Sequence, residues 1–324
     1  GLLTTVGAIA YRAPDDRQAS PPRHEAIPPR NTNGAPSAPA PATTLRYRFT
    51  AGDIFSYVVE TKTEITTSAA GLQPVGPTTR IFDMTWKVAR VDAAGNAHVT
   101  QTVDRLRFAM DSGFAGPVEF DSEKHAEPQG KPVVQKILTP VLKALVGADF
   151  TCTISPRGEV RDFTVPQTVL DALENSPGAG AMFPPSTFQQ LATLGNAVLP
   201  PDPVAKGYRW NLKDEAVSAG GLSRMNVDIR ATYQGQAEHD GRTLEAIALE
   251  PHATIDDSAG TGSSLFTLRT PEGKGNIVFD NARGRLVAIA IVHDLEMERN
   301  APGQAAAIVW RKRLSFSAKL TSPH

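Results

Sequence analysis

The sequence predicts a mainly β fold with a small α insertion: antiparallel meanders in two similar halves, forming a curved half-barrel or sandwich around short helices. Three observations predict it. Apolar and polar residues alternate over long stretches in both halves of the chain. Between those stretches, apolar residues recur at helical spacing. Three segments of the first half also match three of the second in the same order.

The strands begin after Leu45. DIFSYVVETKTEITT places Phe55, Tyr57, Val59 and Thr61 on one face. RIFDMTWKV does the same with Phe82, Met84, Trp86 and Val88, and turns Asp83, Thr85 and Lys87 outward. Asp92-Ala93-Ala94-Gly95-Asn96 has the residues of a hairpin turn. The return strand carries Val99 and Val103 inward, then Leu106, Phe108 and Met110. That change of parity near Asp104-Arg105 predicts a β-bulge or a strand that changes sheet.

Helices follow. Val134, Ile137, Leu138, Val141 and Leu145 form a helical stripe, with Pro132 in the first turn and Gly147 at the C-terminal end. Pro140, inside the stripe, is expected to kink or split this helix. VPQTVLDALEN, with Val169, Leu170 and Leu173 apolar, and PPSTFQQLATLG, ending at Gly195, are two shorter candidates. After PPDPVAKG the strands resume. In the last one, Ile308, Trp310, Leu314, Phe316, Ala318 and Leu320 face one way, and Arg311, Arg313, Ser315, Ser317 and Lys319 the other.

The internal match pairs GDIFSYVVETKTE with GYRWNLKDEAVSA, and TWKVARVDAAGNAHVTQTV with IRATYQGQAEHDGRTLEAIAL. It also pairs GADFTCTISPRGEVRDFTV with GKGNIVFDNARGRLVAIAI, aligning Arg157-Gly158 with Arg283-Gly284. The expected divisions are 1–12 as an anchor or signal remnant and 13–44 as a Pro/Ala-rich linker. Residues 45–130 are the first β half, 131–200 the helical insertion with one hairpin, and 201–324 the second β half.

The beginning of the chain suggests an address. Ala8-Ile9-Ala10 fits the small-x-small end of a secretory signal. Leu2 to Ala10 also reads as the outer end of a membrane helix, with Tyr11 and Arg12 as interfacial anchors. Either reading places the body of the protein in the exported, periplasmic compartment. The linker has almost no large apolar residues, so alone it is expected to be extended or disordered. Its reach is on the order of 100 Å at about 3.1 Å per residue.

Composition narrows the chemistry. A formal net charge of −1 over 324 residues supplies no global field for nucleic acid. A single cysteine, Cys152, excludes an internal disulfide and a multi-cysteine metal site, and FTCTI reads as a strand with a buried thiol. There is no GxSxG, no GxxxxGK[ST] and no HExxH. GTGSS at 260–264 reads as a loop, and Gly273-Lys274-Gly275 as a turn before GNIVFD. His252 with Asp256 and Asp257 reads as a solvated loop, and Asp294, Glu296 and Glu298 as one solvated strand face. Arg311, Arg313 and Lys319 align on the last strand, either as a solubilising face or as a docking face for an acidic partner or lipid headgroups. No catalytic, metal-binding or cofactor-binding residue is expected.

The order of the pieces LRYRFTAGDIFSYVVETKTEI, TWKVARVDAAGNAHVTQTVDRLRF, ALVGADFTCTISPRGEV, LPPDPVAKGYRW and GNIVFDNARGRL, between Leu45 and His324, resembles a family of exported bacterial proteins of unknown function, anchored or lipid-modified at the N-terminus. The resemblance implies an exported, mostly β domain and carries over no catalytic residue.

The expected function is therefore that of a non-enzymatic accessory or structural subunit docked on a bacterial respiratory or photosynthetic membrane complex. Its candidate partner contacts are Leu2, Leu3, Val6, Ile9, Tyr11, Arg12, Pro21, Pro22, Ile27, Pro28 and Pro29 of the arm, with Arg311 and Arg313. The alternatives are a periplasmic lipid- or hydrophobe-binding module, in which a curved sheet wraps around the helix at 133–146, and an enzyme without a recognisable motif.

Overall fold

A computed structural model describes residues 42–68, 75–111, 116–176, 178–183, 188, 191–193, 198–217, 224–256, 266–299 and 308–323, all within the unit Ala40–His324. In chain order the elements are β1 (Ile54–Thr67), β2 (Val75–Val91), β3 (Ala97–Asp111), β4 (Pro117–Asp121), α1 (Pro132–Leu145), β5 (Asp149–Ile154), β6 (Val160–Thr164), α2 (Gln167–Glu174) and α3 (Ala179–Met182). The second half contributes β7 (Arg209–Val217), β8 (Arg224–His239), β9 (Arg242–Asp256), β10 (Phe266–Leu268), β11 (Gly273–Asp280), β12 (Arg285–Arg299) and β13 (Ile308–Pro323). The fold is mainly β.

All strands join one antiparallel sheet, in the order β6-β5-β3-β2-β1-β13-β12-β11-β9-β8-β7, with β4 on β3 and β10 on β12. The path begins at β6 and ends at β7, so the sheet is open. Two meanders of the same order, β1-β2-β3-β5-β6 and β7-β8-β9-β11-β12, lie side by side. The final strand β13 pairs with β1 on one side and β12 on the other.

Alternation sets which face is buried. Phe55, Tyr57 and Val59 of β1, and Phe82, Met84, Trp86 and Val88 of β2, are buried. The parity change in β3 is a register slip: Asp83 pairs with Arg105 but Met84 with Val103, which leaves Asp104 unpaired on the ladder. Leu106, Phe108 and Met110 therefore return to the buried face. In the β2–β3 turn, the Asp92 carboxylate accepts from the Ala94 and Asn96 backbone N–H groups, each at 2.9 Å.

The helices fill the sheet's inner side over the first meander. α1 packs on α2, α3 and β3. Its Leu138, Val141, Leu142 and Leu145 join one core with Phe82, Leu106 and Phe108. The expected break at Pro140 does not split α1, which continues through it. Apolar residues on both sides of the proline, Val134 and Leu138 before it and Val141 and Leu142 after, are buried and hold both halves of the helix against the sheet. Of the apolar residues of α2, Val169 is buried and Leu170 is exposed. Of the third expected helix, the described residues Phe188, Leu191 and Ala192 are buried, and Phe188 stacks on Phe150 at 5.9 Å.

Gly273-Lys274-Gly275 is not a turn; it opens strand β11. The physical reason is close approach. A Cβ on Gly275 would lie 2.5 Å from the Ala290 carbonyl oxygen, and one on Gly273 2.8 Å from that of Val292. The β11–β12 turn has a second tight point at Gly284, whose φ is +66° and whose added Cβ would run into the Arg48 backbone. Gly284→Val is expected to destabilise the domain by at least about 1–2 kcal/mol from the left-handed backbone alone. A lowered urea midpoint with an unchanged slope would register it.

The hairpin β3–β4 is tied by a bidentate pair. Arg105 donates Nε and Nη2 to Asp121 at 2.9 and 2.7 Å, with Asp121 only 11% exposed at the side chain. The Arg105 hydrogen bond is the main reason that the Asp121 carboxyl titrates well below its usual range. Its folded value lies below its unfolded value of about 4, so its stabilisation is full above that pH and fades as pH falls through the lower folded value. Asp121→Asn is expected to lower stability at pH 7 by about 2 kcal/mol. It should also flatten stability against pH below about 4, as measured by chemical denaturation from pH 7 downward.

Candidate functional site

The two meanders meet at one end of the sheet along a strap, Leu45–Phe49. Tyr47 N–H donates to the Pro156 carbonyl at 2.8 Å in one hairpin turn, and Arg48 N–H to the Gly284 carbonyl at 3.0 Å in the matching turn of the other half. Beneath the strap lies an aromatic cleft. Tyr47 stacks on Phe49 at 5.8 Å and meets Phe279 edge-on at 5.1 Å, while Tyr57 contacts Trp86 at 5.1 Å. The Arg285 guanidinium lies 4.6 Å from the Phe55 ring centroid and 3.5 Å from Asp53. Burial pushes the Tyr47 and Tyr57 phenols far up, so both stay neutral. The cleft encloses about 20 Å³ of free space, room for a water and not for an organic ligand. This end of the sheet is packed core.

Polar groups near that end are committed to the fold. Tyr233 donates to the buried carboxylate of Glu245 at 2.5 Å, and Gln236 donates to its other oxygen at 3.2 Å. Asp280 is buried and paired with Arg242 and Arg283, each at 3.3 Å. The buried Cys152 thiol is pushed up to about 12 by desolvation, which keeps it protonated and unreactive at neutral pH. Among the described residues no cluster of three or more His, Cys, Asp or Glu side chains is arranged to hold a metal. His252 lies 4.0 Å from Glu272 on the surface, and Asp257 and GTGSS at 260–264 fall outside the described residues.

The inner face changes character toward the other end. Register places Thr61, Thr63 and Ile65 of β1, Trp310, Lys312, Leu314 and Phe316 of β13, and Ile291, His293, Leu295 and Met297 of β12 on the same side as the buried Ala318. Ile65, Ile291, Met297, Trp310, Leu314 and Phe316 are half-buried there. Next to them, Gly273 and Gly275 of β11 occupy inner positions without a side chain, opposite His293 and Ile291. The result is an apolar strip, with the Ile291 and His293 side chains close against the two glycines. No acidic residue occupies an inner position of β1, β2, β11, β12 or β13.

The basic groups on this face were hidden in the sequence by their own polarity. Lys312 shares parity with Trp310 and Leu314 and is only 9% exposed. Arg80 is also inward, with its guanidinium 6.0 Å from the Phe108 and 5.4 Å from the Phe183 ring centroid, and burial pushes it down to about 10. His293 is buried, with its Nε2 donating to the Pro271 carbonyl at 2.8 Å; desolvation pushes its pKa down and favours the neutral ring.

The outer face unites two features that the sequence presents separately. β12 and β13 pair so that Arg311 opposes Glu296 and Arg313 opposes Asp294. Arg311 Nε donates to Glu296 at 2.7 Å, and Arg313 lies 3.6 Å from Asp294. The two arginines expected as partner contacts thus meet carboxylates of their own chain. The remaining expected contacts, from Leu2 to Pro29, lie outside the described residues. Because Arg311 is 69% exposed, an Arg311/Glu296 double-mutant cycle is expected to give a coupling below about 1 kcal/mol that shrinks further in 1 M salt.

None of the family models or curated proteins compared with the chain matches it. Among solved structures, a lipovitellin chain, from a study of lipid–protein interactions in lipovitellin, superposes with a TM-score of 0.45 at 11% identity over 86% of this chain and 26% of that one. This chain thus spans about a quarter of the lipovitellin chain's length. DynF from the dynemicin biosynthesis pathway of Micromonospora chersina superposes with a TM-score of 0.21 at 9% identity, covering 90% of this chain and 92% of that one. Likenesses this distant are similarities of outline and carry nothing about function.

Proposed function

We propose that this domain is a non-enzymatic binding module that holds a hydrophobic chain on the inner face of its sheet. One observation supports this reading above others: the half-buried strip of Ile65, Ile291, Trp310, Leu314 and Phe316 on neighbouring strands. A sheet needs apolar residues inside to make a core, and the packed end with α1 to α3 meets that need. The strip extends the apolar surface past the helices. Half-buried apolar surface of this kind, free of acidic side chains, is the chemistry of a site for hydrocarbon.

The reading as an accessory subunit on a membrane complex rests on the arm, residues 1–29, and on Arg311 and Arg313. The latter pair is already engaged with Glu296 and Asp294. Export to the periplasmic side suits either role, because a lipid-binding module and a docked subunit both work next to a membrane.

The test is a titration with the neutral probe 1-N-phenylnaphthylamine. Saturable fluorescence enhancement is expected with the folded protein. Phe316→Ala should weaken it roughly tenfold, since the contact of one apolar side chain is worth about 1.5–3 kcal/mol and 1.4 kcal/mol is a factor of ten. Absence of any saturable signal sinks the proposal.

A further inference from the structure

The strip contains one residue that a hydrocarbon site alone does not explain. Lys312 stands in the middle of β13, between Ile65 of β1 and Leu295 of β12, with Trp310 and Leu314 on either side along its own strand. It is nine-tenths buried and makes no hydrogen bond or ion pair among the described residues. Leu295 beside it is 2% exposed. The Lys312 stem is buried while the ammonium still meets solvent at the inner face, where its charge has no partner among the described residues. Desolvation acts on it alone, with no neighbouring carboxylate to offset it.

The charges around it do not supply a partner. The acidic residues of β12, Asp294, Glu296 and Glu298, alternate to the outer face, as does Glu64 of β1, which is paired with Lys62 at 2.6 Å. His293, a diagonal neighbour on the inner face, is bound to the Pro271 carbonyl. Arg80 lies over Phe108 and Phe183. Among the described residues, Lys312 is thus the cation without a partner on the inner face at this end.

We infer that Lys312 receives the anionic head of a single-chain amphiphile, a long-chain carboxylate, whose tail lies along the apolar strip. A lone ammonium with three donors suits a monovalent carboxylate, whereas a phosphate dianion calls for the further donors of an arginine fork. From Lys312 the tail lies along β13 toward Leu314 and Phe316, roughly 13 Å over four residues at about 3.3 Å each. This inference rests on the proposed hydrophobe site and adds the identity of the head group.

Competition against bound 1-N-phenylnaphthylamine separates the two. Palmitate and 1-hexadecanol share a tail and differ in the head. Wild-type protein is expected to prefer palmitate by on the order of tenfold to a hundredfold at pH 8, the range for a hydrogen bond to a charged group. Lys312→Met should keep probe binding and lose the preference. Lys312→Arg should retain the preference. Equal competition by the two ligands in the wild type, or an undiminished preference in Lys312→Met, overturns the assignment of the head group while leaving the hydrophobe site standing. Failure of the probe to bind the wild type overturns both.

Discussion

The structure depends on the antiparallel pairing of β13 with β1 and β12. Each meander is built from neighbours in sequence and would form its own small sheet. Without β13, β1 and β12 would each end in a row of open N–H and C=O groups, the kind of edge that invites aggregation. The last strand pairs with both, so one continuous sheet replaces two. It also joins Ile54–Thr67 to the far end of the chain, a contact of long sequence separation. Closing such a loop adds entropy only logarithmically with length, but it slows folding. The side chains of β13 complete the joint: Ala318 is buried against the core, and Arg311 and Arg313 meet the carboxylates of β12.

The strap Leu45–Phe49 repeats that role at one end of the sheet. It hydrogen-bonds one hairpin turn through Tyr47 and the equivalent turn of the other meander through Arg48. Both turns need a glycine with positive φ, Gly158 at +87° and Gly284 at +66°. The strap's aromatic side chains then seal the end, which is why the cleft beneath it has no room for a ligand. The strap closes one end into core, and the inner face is left half-covered only toward the other.

Alternation made β1, β2 and β3 legible from sequence, because one side of each strand is almost uniformly apolar. Even the slip at Asp104 could be read, since a bulge changes parity in a way the sequence records. What escaped follows from the same rule. Lys312 was passed over because a pattern of polarity assigns every lysine outward, and only register with Leu295 and Ile65 shows where it stands. The acidic row of β12 and the basic row of β13 looked like two solvated faces because sequence does not say which strands are neighbours. Pro140 leaves a kink and a split equally open in the sequence, and the packing of Leu138 and Val141 against the sheet keeps the helix from splitting. Gly273 and Gly275 have the composition of a turn, and the close approach of β12 that requires them is a property of the sheet.

The inner surface of this sheet extends beyond the part that α1, α2 and α3 cover. A protein selected only for stability would fill it with large residues or shorten the strands. This one keeps β1, β12 and β13 long past the helices and sets Lys312, without a partner among the described residues, beside Leu295, Leu314 and Ile65. Both make sense together if the inner face is completed by something other than the chain, apolar along most of its length and negatively charged at one point. The core at the strapped end supplies the stability that lets the other end remain open to such a ligand.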